Sequence, residues 1–146
     1  MPGLTQPELI LVAAGVIRDA SGRVLIAQRP DGKHAAGFWE FPGGKIQSGE
    51  SPLQALCREL VEEIGIQVSA ATPLMTFRHS YPKRMVELHV FEVSHYSGEP
   101  QGLEGQPLRW VAVDALASAG LLEADEPIAA ALLEISRSSD GSARPG

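Results

Sequence analysis

The chain has 146 residues, 44% of them hydrophobic, with 18 acidic against 12 basic side chains and a net charge of −6. That length suits one domain able to bury about two-thirds of its unfolded surface, and it leaves no room for a second domain of ordinary size. The acidic balance excludes a broad basic surface for a nucleic-acid polymer, so a small anionic ligand would have to meet locally supplied positive charge.

Cys57 is the only cysteine, which excludes a disulfide or a thiolate metal site within one chain. The apolar run Leu9 to Ile17 is too short to span a bilayer, and no cationic start leads into a cleavage pattern. A soluble cytoplasmic protein with no membrane partner is expected. No feature sets an oligomeric state.

Leu9 to Arg18 and Arg23 to Arg29 read as strands on either side of the turn Asp19-Ala-Ser-Gly22, and the two are expected to pair antiparallel. Arg29 to Gly37 is a polar loop, and Phe38 to Phe41 is a short strand that feeds Pro42-Gly43-Gly44. Ser51 is placed as an N-cap, Pro52 suits the first helical position, and Gln54 completes a capping box, so a helix starts there. Gly65 ends it ahead of the β-prone Ile66-Gln-Val68.

Gln67 to Val68 and Leu74 to His79 are strand-like, Tyr81-Pro82-Lys83 turns, and Met85 to Ser94 alternates as a longer strand. A loop over Gly98 to Pro107 leads to a strand at Leu108 to Val113 and a short helix at Asp114 to Ala119. An amphipathic helix is expected over Pro127 to Ser136, capped near Asp125 or Glu126. The polar tail from Arg137 is expected to be disordered, which leaves residues 1–136 as the folded domain. Mixed strands with two or three helices make the fold α+β.

At 100° per residue, Leu53, Leu56, Cys57, Leu60 and Ile64 form one apolar stripe on the first helix. Cys57 then reads as a small core residue. Glu59, Glu62 and Glu63 cluster on a neighbouring face, where like charges at these spacings repel by a few tenths of a kcal/mol per pair. A solvated charged face is the ordinary reading of such a run, but a bound cation removes the repulsion, and hard carboxylate ligands suit Mg2+ or Mn2+. Arg58 stands four residues before Glu62 and can pair with it as support, while Glu50 can reach the cluster from the preceding loop. Gly43 and Gly44 would let backbone approach an ion or phosphate closely, and Arg29, Lys45 and Arg84 are candidate phosphate partners.

Gly44, Glu50, Arg58-Glu59-Leu60, Glu62-Glu63 and Gly65-Ile66 stand at every fixed position of the Nudix hydrolase signature, and the chain resembles that family. Over Val12 to Leu133 it is similar in particular to the MutT-type 8-oxo-dGTP diphosphatases. Gly15 to Arg18, Arg29, His34, Glu40 to Lys45, Gly98 to Pro100, Glu104 to Pro107 with Trp110, and Glu126-Pro127 carry that likeness. The resemblance implies an α/β/α sandwich with a mixed sheet between helices. It implies metal ligation by Glu59, Glu62, Glu63, the Gly43 carbonyl and Glu104, with Mg2+ as cofactor and Mn2+ as substitute. The reaction implied is attack of metal-activated water on the β-phosphorus of a nucleoside triphosphate, giving a nucleoside monophosphate and pyrophosphate. Glu59, Glu50 and Glu104 are all candidates to accept the proton, with Glu59 preferred.

Candidate substrate contacts are Arg29, His34, Phe41, Gly44, Lys45, Tyr81, Arg84 and Asp125. The MutT pattern has asparagine where this chain has Asp125, and an ionised carboxylate accepts hydrogen bonds but cannot donate them. A protonated Asp125 in an apolar pocket would restore the donor. CTP pyrophosphatase-type Nudix enzymes carry aspartate in a similar setting, matched here by Ala124-Asp-Glu-Pro127 and Gly37-Phe-Trp-Glu-Phe41. Modified pyrimidine nucleotides are therefore the alternative substrate, together with dinucleoside polyphosphates, whose hydrolases carry a tyrosine near the position of Tyr81. An inactive nucleotide-sensing domain is the reading from another class, and it would have lost a signature glutamate. None is missing.

Overall fold

A computed structural model of the chain describes residues 8–33 and 35–142, with side chains described as far as 138. The strands are β1 (Glu8–Ile17), β2 (Val24–Gln28), β3 (Trp39–Glu40), β4 (Gly43–Lys45), β5 (Gln67–Tyr81), β6 (Arg84–Ser97) and β7 (Leu108–Val111). Helix α1 spans Pro52–Ile64 and helix α2 spans Glu126–Ser142, with short 3-10 turns at Val113–Ser118 and Glu123–Asp125.

The strands form two sheets, in the orders β4-β1-β6-β5 and β3-β2-β7. β1 runs parallel to β6 from the pair Glu8 and Arg84 to the pair Ile17 and Val93, and its other edge takes β4 antiparallel. β1 is covered on both faces, as befits a parallel-paired strand of nearly continuous apolar sequence. Ala13 and Ile17 pack with Leu56 and Leu60 of α1, whereas Ala14 and Val16 pack with Ile128 and Leu132 of α2. Successive residues of one strand thus serve opposite helices, and the result is the expected α/β/α layering.

The hairpin expected between β1 and β2 is corrected. The turn itself forms, with the Asp19 side chain accepting from the Ser21 and Arg23 amides at 2.9 Å. Beyond one bridge, Arg18 to Val24, the two strands part into different sheets. Both edges of β1 are taken by β4 and β6, so β2 pairs instead with β3 and β7.

Helix α1 begins and ends as its sequence dictates. Ser51 accepts from the Gln54 amide, the Gln54 side chain accepts from the Ser51 amide at 2.8 Å, and Gly65 closes the helix in the left-handed region at φ 71°. The capping interactions stabilise the helix by about 1 kcal/mol, and burial of Leu56, Leu60 and Ile64 adds roughly 1.5–3 kcal/mol each. Two members of the expected stripe lie off it: Leu53 is 40% exposed and Cys57 is half-buried, while Ala55 is fully buried in their place.

Three other boundaries differ from expectation. β5 is one continuous strand carrying irregularities between Val68 and Ala70 and between Pro73 and Met75, where two short strands were expected. The short helix after β7 is a 3-10 turn. α2 runs to Ser142, so the expected disordered tail is helical from Arg137 to that point, because no helix breaker precedes Gly141. Residues 143–146 of that tail lie outside the described residues. Among the described residues, no helix is long and apolar enough to cross a membrane.

Candidate functional site

The edge strand β4 lies flush against the acidic face of α1. A Cβ added to Gly43 would stand 2.8 Å from Ala14 Cα and collide with the Ala13 carbonyl, so only glycine lets the strand close there. A Cβ on Gly44 would stand 2.5 and 2.7 Å from the two Glu59 carboxylate oxygens. The Gly43 amide donates to Glu63 Oε2 at 3.3 Å. These two glycines therefore position Glu59 and Glu63 against the strand that precedes the helix.

Arg58 ties the glutamates together. Its Nε and Nη2 fork the Glu50 carboxylate at 2.7 and 2.9 Å, its Nη1 donates to Glu59 at 2.8 Å and Glu62 at 3.3 Å, and Nη2 also reaches the Lys45 carbonyl at 3.0 Å. The guanidinium, helped by the Gln47 amide, holds the Glu50 carboxyl down to about 2. Arg58 itself is held above its usual value by Glu50 and Glu59.

Glu63 is the opposite case. Burial raises its carboxyl well above the usual range, and the charges of Glu59, Glu40 and Glu104 raise it further against the Gly43 amide. The loop bearing Glu104 is pinned to the end of α1, where the Leu103 amide and Gln106 Nε2 both donate to the Glu63 carbonyl at 3.0 Å. Several carboxylates thus crowd a low-dielectric corner with Arg58 as a neighbouring cation, an arrangement that a divalent ion would relieve. Among the described residues, no three acidic, histidine or cysteine side chains already close into a cage, and Glu62 is 57% exposed. The donor set is nonetheless all hard oxygen beside open backbone, which suits Mg2+ or Mn2+ better than softer ions.

A cleft of about 730 Å³ opens beside this corner. Its floor is Ile10, Val12 and Ala14 of β1 with Val86 and Leu88 of β6, all on the face of the sheet opposite α1. Arg29, Lys33, Lys45 and Arg84 line it with positive charge, while Tyr81 and Asp125 line it toward α2. The segment leading to Asp125 is fastened to β3, with the Trp39 amide donating to the Gly120 carbonyl at 2.9 Å and the Leu122 amide to the Trp39 carbonyl at 2.8 Å.

Asp125 is 5% exposed, and its Oδ2 accepts from the Phe41 amide at 2.9 Å. Burial pushes its carboxyl up to about 7; the Phe41 amide opposes the shift, Glu40 adds to it and Arg29 works against it. Arg29 in turn pairs with Glu40 at 2.7 Å. The Tyr81 hydroxyl accepts from the Ala124 amide at 3.3 Å, and burial raises its pKa.

The cleft brings together Arg29, Phe41, Gly43, Gly44 and Lys45 with Glu59, Glu63, Tyr81, Arg84 and Asp125. Arg58 and Glu50 stand behind Glu59 and outside the lining, Glu62 faces outward, and Glu104 reaches Glu63 through its charge. His34 lies outside the described residues. The sequence placed Glu40 within the family-like stretch but gave it no role, and it did not point to Lys33, Gln47 or the apolar floor. β1 is nearly continuously apolar, so no alternation marked the floor, and the role of Glu40 became visible only in its pairing with Arg29.

A family model described as a NUDIX domain matches residues 13–131. The chain is 52% identical to an 8-oxo-dGTP diphosphatase of Proteus vulgaris over 60% of its length and 79% of that protein. It is 35% identical to a CTP pyrophosphohydrolase of Escherichia coli, covering 88% of this chain and 94% of that one. A solved MutT structure, from work on Aliivibrio salmonicida and Vibrio cholerae, superposes with a TM-score of 0.75 at 37% identity, covering 87% of this chain and 98% of the other.

Proposed function

The chain belongs to the Nudix hydrolase family and is a pyrophosphohydrolase, and on that premise we propose that it cleaves 8-oxo-dGTP to 8-oxo-dGMP and pyrophosphate with Mg2+. Such an activity clears an oxidised precursor from the nucleotide pool before it can be incorporated into DNA.

Glu59, Glu62 and Glu63, with the Gly43 carbonyl and Glu104, would hold the divalent ion. When bound, the ion neutralises phosphate oxygens and makes a water acidic enough to attack. Arg58 orients Glu59 and keeps Glu50 ionised, so Glu50 acts as an anchor and Glu59 is the residue to accept the proton from the attacking water. Arg29, Lys33, Lys45 and Arg84 meet the triphosphate, and the apolar floor under Phe41 takes the base and sugar.

The observation that carries the substrate reading is the burial of Asp125 against the Phe41 amide at the edge of the cleft. A buried carboxyl held near neutrality, with one oxygen already accepting from Phe41, can present a hydroxyl donor to the base. It then imitates the donor and acceptor of an amide, which suits the altered N7–H and O6 edge of 8-oxoguanine. The same residue supports the second reading, because an ionised Asp125 accepts from the amino group of a cytosine.

The deciding experiment is steady-state hydrolysis of 8-oxo-dGTP, dGTP, CTP and 5-methyl-dCTP with Mg2+, with products separated and an EDTA control. The first reading expects kcat/KM for 8-oxo-dGTP to exceed that for the others, with monophosphate and pyrophosphate as products and no turnover in EDTA. A preference for either pyrimidine, or equal turnover of 8-oxo-dGTP and dGTP, would replace it with the second.

A further inference from the structure

His79 on β5 carries a buried ring nitrogen, Nε2, that has no hydrogen-bond partner among the described residues. Glu123 Oε1 lies 3.8 Å from it, just beyond hydrogen-bond reach, on the 3-10 turn Glu123–Asp125. The imidazole meets the Tyr81 ring edge to face, with centroids 4.8 Å apart and planes at 71°. Tyr81 in turn accepts from the Ala124 amide of the same turn. A column of side chains therefore joins β5 to the turn that ends in Asp125, and its one open link is the gap between His79 and Glu123.

A buried ring nitrogen without a partner is uncommon in native structures, and here the candidate partner sits within a small movement of it. With its proton on Nδ1 a neutral imidazole finds no donor in Glu123, and with it on Nε2 it can make only a neutral bond; protonation fixes the donor on Nε2 and adds a charge that draws the carboxylate in. Glu123, with its side chain 69% exposed, can swing inward to take the bond. The ionisable groups facing the column are Glu123 and Tyr81, with Arg84 opposite Tyr81 on β6 and with Asp125 and Arg29 acting on the Tyr81 hydroxyl from the turn and from the end of β2.

We propose that His79 and Glu123 form a proton-operated tie behind the cleft wall made by Tyr81 and Asp125, which draws the turn bearing Asp125 onto the bound nucleobase. His79 is a positioning residue in this scheme, since Tyr81 and Asp125 line the cleft and His79 stands behind them. The tie rests on the nucleotide reading of the cleft, but its structural half can be tested without any substrate.

Two measurements decide it. In wild-type protein without nucleotide, NMR should show the Leu122 and Ala124 amides moving with the His79 ring titration, and Glu123→Gln should uncouple them. In kinetics, wild-type KM for the preferred nucleotide should rise two- to fivefold as His79 loses its proton, a span of roughly the size a partly exposed ion pair allows. His79→Gln and Glu123→Gln should lose that component, keep any pH dependence due to Asp125, and leave kcat unchanged. Glu123 is exposed, so its variant keeps the question open to refutation even if His79→Gln folds poorly. Amides that ignore the ring titration, or KM profiles that coincide in all three proteins, would overturn the tie. Loss of the substrate reading alone would leave the NMR result standing.

Discussion

Gly44 lies directly beneath the Glu59 carboxylate, so close that a single methyl group would stand 2.5 Å from Oε2. The obstructed atoms are the far end of a flexible side chain, which can move aside without disturbing the helix. Gly44→Ala should therefore keep the fold, with Tm within about 2 °C of wild type, while kcat falls at least tenfold because Glu59 is displaced. Thermal melts beside steady-state rates test this; unchanged kcat would show that the position of Glu59 against β4 is not used.

Glu59→Gln keeps the shape of the side chain and removes its charge. Turnover should fall by about two orders of magnitude or more, the scale of a lost acid–base group, with Mg2+ binding weakened in calorimetry. The Glu59 side chain is 16% exposed and pairs with Arg58, so a modest stability change is expected and circular dichroism should stay native. A variant that retains wild-type kcat would remove Glu59 from the reaction.

Arg58→Lys tests the fork. A lysine cannot grip both Glu50 oxygens while also reaching Glu59, so kcat should drop about tenfold with KM nearly unchanged. The fork also leaves an acid signature. Glu50 is held at about 2 against an ordinary 4.5, so its contribution is complete above 4.5 and is lost as pH falls toward 2. Wild-type acid unfolding should include that component and the lysine variant should lack most of it; superimposable acid transitions would refute the assignment.

Asp125 has the reverse linkage. Its carboxyl ordinarily titrates at 3.8 and is pushed up to about 7 in the fold, so the folded state holds the proton more tightly. Its protonated form stabilises the fold below 3.8, and that advantage is lost as pH rises toward 7. Asp125→Asn should therefore match wild type near pH 4 and be more stable at pH 8, by on the order of 2 kcal/mol. Denaturant melts across that range check the sign; a difference that does not grow with pH would mean the buried carboxyl is ionised at little cost. The same variant should turn over 8-oxo-dGTP at pH 8 at least as well as wild type, since the amide supplies the donor at any pH.

What was legible in the sequence was local. The caps of α1 and the facing of Glu59 and Glu63 follow from local spacing, and the structure keeps both ends of the helix where Ser51 and Gly65 place them, while Glu62 turns outward. What was not legible depended on chain distant in sequence. β1 pairs with β6, more than seventy residues away, and no signal around Asp19 reveals that both edges of β1 are claimed, so the local turn suggested a hairpin. The role of Glu40 was hidden for the same reason, since it lies in reaching Arg29 across β2 and β3. The burial of Asp125 could not be read either, because it arises where the turn before α2 meets the Phe41 amide 84 positions earlier.

Because odd residues of β1 back onto α1 while Ile10, Val12 and Ala14 pave the cleft, the two faces of the sheet share a strand without sharing side chains. Change in what the cleft accepts can proceed by repaving: a larger or smaller group at Val12 or Leu88 reshapes what fits, and the packing of Ala13 and Ile17 on α1 is untouched. One backbone thus separates the seat of α1 from the paving of the cleft, so either can vary while the other keeps its packing.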